Sequence, residues 1–244
     1  MSRSISIILF TFIFLTGNVF AAQMASMKLN FTQRDISVVD DKNDIDALYH
    51  TIGSATITLV EETVVDSDKA DFFSSVGDVT MMINKLIAVG KKIWEIVDAG
   101  RPVVEANLNP ISVLPRTENP DYAFTNMYGW SLPVVRRYRV NYTNLLGMNV
   151  IDFEFTVIFQ YDGKYEGHGR YLTGVNVVAD NIAVSWGFNF NVSSKLMAIS
   201  NRGTMEEPIA AATIQLDYIG KSSVKEIRSS IIFHIDGAGN IVKL

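Results

Sequence analysis

A chain of 244 residues, 48% hydrophobic and 19% charged, has a globular composition and is long enough to bury a substantial core. Its formal charge of −5 excludes the basic field a non-specific nucleic-acid binder needs and disfavours attraction to anionic membranes. It contains no Cys. That excludes disulfide staples, thiol-held zinc and a lipid anchor on a processed N-terminal Cys.

The first 21 residues, MSRSISIILFTFIFLTGNVFA, read as a secretory signal peptide. Arg3 precedes an apolar run over 5–15, which is shorter than the roughly 20 residues a bilayer span needs. Val19 and Ala21 occupy the processing positions, so cleavage is expected after Ala21. The expected location is periplasmic or secreted. A bacterial source is expected too, since exported animal domains usually carry disulfides. The mature chain, 22–244, is expected to be one domain. It divides into N-terminal strands plus a helix (22–100), a Pro-rich loop (101–133) and an antiparallel β region (134–244).

In chain order, 27–39 and 54–65 read as strands, with Thr alternating with apolar residues over 55–60. Between them, DDKNDIDALY predicts a turn or one short helix. Its carboxylates lack the Gly and terminal Glu of a calcium loop, so a solvated turn is the reading. Residues 71–99 predict one long amphipathic helix. Phe72, Val76, Val79, Ile83, Leu86 or Ile87, Ile93 and Val97 fall at helical spacing, Asp71 caps the start, and Gly100 to Pro102 stop it. Gly77 and Gly90 inside it cost about 1 kcal/mol each. Five of the six prolines lie in 101–133, which predicts a long ordered loop with a short strand at 111–114.

Beyond 134 the pattern has period two. Phe153, Phe155, Val157, Phe159 and Tyr161 point one way and Asp152, Glu154, Thr156 and Gln160 the other, and Asp162-Gly163 follows as a hairpin signal. Asp180-Asn181 predicts a second tight turn. Val184, Trp186, Phe188, Phe190 and Val192 then predict one further strand, followed by strands over 195–200, 209–219, 224–235 and 241–244. The expected fold is mainly β (α+β): an antiparallel β-sandwich with one long amphipathic helix packed on it.

No nucleophile elbow, zinc-protease, P-loop or dinucleotide motif occurs, and His50, His168 and His234 show no metal-ligand spacing. No catalytic residue, metal or cofactor is therefore expected. The binding candidates are Trp94, Arg137, Arg139 and His168. Trp94 sits on the expected helix. Arg137 and Arg139 share one face of a strand, where guanidinium suits carboxylate or phosphate. His168 is flanked by glycines in EGHGR, and an imidazole pKa of about 6.5 suits proton transfer. The expected function is an exported, non-enzymatic binding or interaction protein. Its partners are envelope, extracellular or host-surface components, not nucleic acid. A membrane-active β-sandwich using the 71–99 helix is the alternative, although that helix is short of Lys and Arg for a membrane surface. A secreted hydrolase acting through carboxylates or His168 is the second alternative.

The segment GKKIWEIVDAGRPVV (90–104), with the strands at 138–144 and 186–192, resembles exported proteobacterial proteins of no assigned function. The resemblance implies export and carries no residue roles.

Overall fold

Alternating apolar residues commit one face of a strand to burial, and the chain spends most of its length on such strands. The computed structural model describes residues 27–28, 31–35, 45–64, 79–102 and 110–244. In order these form β1 (Met27–Lys28), β2 (Phe31–Asp35), α1 (Ile45–His50), β3 (Ile52–Val64), β4 (Val79–Ile83), β5 (Leu86–Val89), β6 (Ile93–Asp98) and β7 (Arg101–Pro102). There follow β8 (Ile111–Pro115), α2 (Pro120–Thr125), β9 (Met127–Tyr128), β10 (Val134–Asn144), β11 (Asn149–Tyr165) and β12 (His168–Val184). The last four are β13 (Asn189–Asn201), β14 (Ala210–Lys221), β15 (Lys225–Asp236) and β16 (Ile241–Lys243). The expected signal peptide, 1–21, lies outside the described residues.

The described strands make two open antiparallel sheets. The first runs β1-β3-β10-β11-β12-β8-β5-β4, with β9 also on β11; the second runs β16-β15-β14-β13-β6-β7, with β2 also on β15. Aromatic rings fasten them face to face. Tyr138 meets Phe233 at 5.0 Å, Phe153 meets Phe190 at 5.4 Å, and Tyr142 meets Phe190 at 5.6 Å. Such pairs add about 0.5–1.5 kcal/mol each beyond their buried area. One polar tie crosses the same core, from Tyr142 Oη to Ser229 Oγ at 2.9 Å. Burial pushes the Tyr142 phenol well above its ordinary pKa, so it stays neutral. The result is a mainly-β, sandwich-like fold, as the period-two pattern implied.

The expected long helix is not there. Over its described part, 79–99, the chain forms β4, β5 and β6; residues 71–78 lie outside the described residues. Leu86, Ile87, Ala88 and Val89 are all buried, as in a central strand covered on both sides. A run that is apolar throughout satisfies helical spacing without requiring a helix. The turn residues decide. Asn84 adopts φ 47, and Gly90 adopts φ +119 with room for no side chain, since a Cβ would lie 2.5 Å from the Pro110 carbonyl. Neither belongs inside an α-helix, so the device expected of a membrane-active helix is missing from the described residues. Among them, no helix is long and apolar enough to cross a membrane.

Three turns also differ from expectation. Asp162-Gly163 lies inside β11 as a bulge, and the hairpin closes at Glu166-Gly167, where φ is 52 and 84. Asp180 is the extra residue of another bulge, since Glu154 pairs Asn181 while Phe155 pairs Ala179. The single strand expected across Val184 to Val192 breaks at Trp186-Gly187, passing from β12 in one sheet to β13 in the other. Of the strand expected over 27–39, the described residues form β1 and β2, which belong to different sheets; 29–30 and 36–39 lie outside the described residues. In the Pro-rich segment, the strand expected at 111–114 is β8, fully buried. Asn119 caps α2 there by accepting from the Asp121 and Tyr122 amides.

Candidate functional site

Several connections converge at one end of the sandwich. Asn144 pairs with Ile52 after α1, Ile151 pairs with Val184, and Asn189 pairs with Lys221. The α1–β3 junction therefore shares this end with the β10–β11, β12–β13 and β14–β15 connections. Asn144 organises the β10–β11 loop. Its side-chain oxygen accepts the Leu146 amide (3.1 Å) and the Met148 amide (2.9 Å), while its carbonyl accepts the Gly147 amide (3.0 Å). The Leu145 amide donates to the Thr51 carbonyl at 3.0 Å.

Tyr49 of α1 ties this loop to the next one. Its carbonyl accepts from Asn144 Nδ2 at 3.0 Å, and its hydroxyl donates to the Trp186 carbonyl at 3.3 Å. Behind Trp186 lies His50, buried and stacked on Phe188 at 5.9 Å, with its Nδ1 2.9 Å from the Asp46 carbonyl. The His50 carbonyl accepts from Ser222 Oγ at 2.5 Å. Gly187 fits where it does for two reasons. It holds φ +84, and a Cβ would sit 2.6 Å from His50 Nε2.

This hydrogen-bonded base presents bare apolar side chains. Trp186 is 83% exposed, Leu145 54% and Met148 51%; Leu146 and, at the start of α1, Ile45 are exposed as well. Scattered exposed apolar residues are ordinary, whereas these fall together on adjoining loops at one end. Beneath them, His50 Nδ1 also lies 3.4 Å from Asp46 Oδ1.

The sequence-derived candidates lie apart from this end, and of the four only Arg137 and Arg139 lie side by side. Trp94 is buried in β6, on core-facing duty. Arg137 and Arg139 lie on the outer face of the first sheet, already matched to carboxylates. Arg137 reaches Glu61 at 3.1 Å and Asp180 at 3.5 Å, and Arg139 reaches Glu154 at 2.7 Å through Nε. His168 Nδ1 lies 2.6 Å from Glu207 Oε1, at the opposite end of the sandwich. Glu207 also accepts the Gly169 amide at 2.9 Å, clasping the start of β12 to the segment before β14. Nearby, burial pushes the Tyr171 phenol up to about 12, which leaves it neutral.

The clasp makes a measurable prediction. Hydrogen bonding from His168 first, and from the Gly169 amide second, holds the Glu207 carboxyl below its ordinary pKa. The ionised form is thus the one folding favours. Its contribution is present above the ordinary carboxylate pKa and fades as pH falls through the depressed value. Carboxyl-detected NMR titration should place the Glu207 midpoint below the usual Glu range, and His168→Ala should move it upward. An unmoved midpoint in that variant rejects the assignment.

On the outer face of the second sheet, Glu95, Asp98, Asn191, Ser193 and Asp217 line a cavity of about 160 Å³. Lys195 pairs with Asp217 at 2.9 Å. Among the described residues, no group of three His, Asp or Glu is placed to hold a metal ion. No family model matches the chain, and no curated protein or solved structure is significantly similar to it.

Sequence reasoning passes over Leu145, Leu146, Met148, Tyr49 and Asn144, and it assigns Trp186 to the buried face of a strand. A signal is present in TNLLGMN: three large apolar residues confined to a Gly-containing turn between two Asn.

Proposed function

We propose that this chain is an exported, non-enzymatic binding module of the bacterial envelope or extracellular space, and that it binds through the α1 end of the sandwich. The observation that carries the reading is the set of exposed Leu145, Leu146, Met148 and Trp186 side chains on loops held rigid from beneath by Asn144 and Tyr49. Rigid presentation lowers the ordering cost of binding, so apolar surface shown this way converts efficiently into affinity. The signal-like segment 1–21 supports export, and the acidic charge supports a partner other than nucleic acid.

The test is retention of the processed protein on total bacterial envelope preparations, which contain membranes with their associated proteins and glycans. Trp186→Ser and Leu145→Ser should each weaken retention several-fold, about 1 kcal/mol or more apiece. His168→Ala and Arg139→Ala should leave it unchanged. Retention that ignores the tip substitutions overturns the reading.

A further inference from the structure

We infer that the α1 end is a membrane-docking tip, in which Leu145, Leu146, Met148 and Trp186 seat among the headgroups and upper acyl chains of an uncharged bilayer surface. This rests on the proposed reading of that end as the binding surface and names its partner. The discriminating observation is the backbone beneath the side chains. All four amides from Leu145 to Met148 donate within the protein: to the Thr51 carbonyl, the Asn144 side chain, the Asn144 carbonyl and the Asn144 side chain again. A protein or glycan partner reads a loop partly through its free donors and acceptors, and this loop holds back every donor. Lipid makes the opposite demand, because hydrocarbon offers an unpaired amide no acceptor in place of water. A loop with spent donors and bare apolar side chains meets that demand.

Charge and residue type point the same way. Residues 144–149 and 185–188 carry no formal charge, so seating them strips water from no ion. The chain's net charge of −5 opposes an anionic surface, which leaves a zwitterionic one. Trp186 has the side chain best suited to the headgroup level, with an apolar ring and one polar N–H. Tyr49 holds its carbonyl, and the His50 ring meets the base of the indole edge-on at 6.1 Å, while the side chain stays 83% exposed.

The processed protein is mixed with phosphatidylcholine vesicles and with vesicles enriched in phosphatidylglycerol. Co-sedimentation with phosphatidylcholine is expected, with a blue shift of Trp emission and quenching by acyl-chain bromine. The Leu145→Ser/Leu146→Ser/Met148→Ser variant should bind at least about tenfold more weakly. Trp186→Phe should keep most of the binding and abolish the quenching. The substituted side chains are exposed, so the thermal melt of each variant should match that of the unaltered protein. If the triple variant fails to fold, Leu146→Asp alone serves in its place. Failure to sediment with phosphatidylcholine overturns the inference, as does binding to anionic vesicles alone or binding indifferent to the tip substitutions. If vesicles are ignored while envelope retention still depends on the tip, the partner is a protein or glycan. The lipid inference then falls and the proposed function stands.

Discussion

Phe155→Ala should cost about 4 kcal/mol of folding stability, read as a fall in urea midpoint at unchanged m-value. Phe155 is the ring at which both sheets meet. Tyr138 stacks on it at 5.4 Å and Phe153 at 5.5 Å from its own sheet, while Phe233 lies at 6.2 Å and Tyr218 at 6.4 Å from the other. Each neighbour is pinned by strand pairing on both sides, so the walls cannot collapse into the void, and the cavity adds its cost to the lost transfer energy. A domain holds only about 5–15 kcal/mol in total. With no Cys, no disulfide restricts the unfolded chain and offsets the loss. Arg139→Ala removes a surface ion pair from the outer face of the same sheet and should cost no more than about 1 kcal/mol. Equal midpoints for the two variants would remove Phe155 from the centre of the fold.

That contrast between faces is legible in the residue order alone. Phe153, Phe155, Val157 and Phe159 keep one phase against Asp152, Glu154, Thr156 and Gln160, and the first four are buried. Period two is dictated by the pleat, so it survives whatever the tertiary context does. What is illegible is where a period-two run bends. Asp162-Gly163 has hairpin chemistry, yet β11 runs through it, because positive φ serves a bulge as well as a turn. Trp186 has the phase of a core residue and stands in solvent, since the chain reverses there and carries Phe188 back inside. The 86–89 stretch misleads for a related reason. A stretch buried on all sides contains no polar phase by which to tell 3.6 from 2, and only the turns at Asn84 and Gly90 distinguish them.

The site is less legible than the fold because its parts are brought together by long-range contacts. Tyr49 and Trp186 are 137 residues apart, and Tyr49 and Asn144 are 95 apart. Neither spacing means anything in sequence. The charged candidates mislead in the opposite sense. Arg137 and Arg139 look available in the sequence because their partners Glu61, Asp152, Glu154 and Asp180 come from neighbouring strands whose register no local pattern reveals.

The second large effect is expected at the opposite end, in the turn from β15 to β16. The Asp236 carboxylate is buried and fully engaged. One oxygen accepts the Ala238 amide (2.9 Å), the Asn240 amide (3.1 Å) and the Asn240 side chain (3.0 Å), and the other accepts from Arg202. Asp236→Ala leaves these donors without an acceptor in a closed turn and should cost about 3 kcal/mol. Arg202→Ala should cost only about 1 kcal/mol, because Arg202 is half exposed and the turn amides still hold the carboxylate. The turn also links the sheets: the Gly237 amide donates to the Ala210 carbonyl, and the Gly237 carbonyl accepts the Asp162 amide. A Cβ on Gly237 would collide with the Arg170 carbonyl, so Gly237→Ala should be destabilising by about 1–3 kcal/mol. None of these residues reaches the α1 end. Below their lowered melting temperatures, the three variants should therefore keep the envelope retention of the unaltered protein. Loss of retention in a folded Asp236→Ala protein would mean that the two ends are coupled, and the binding surface would then extend beyond the Trp186 tip.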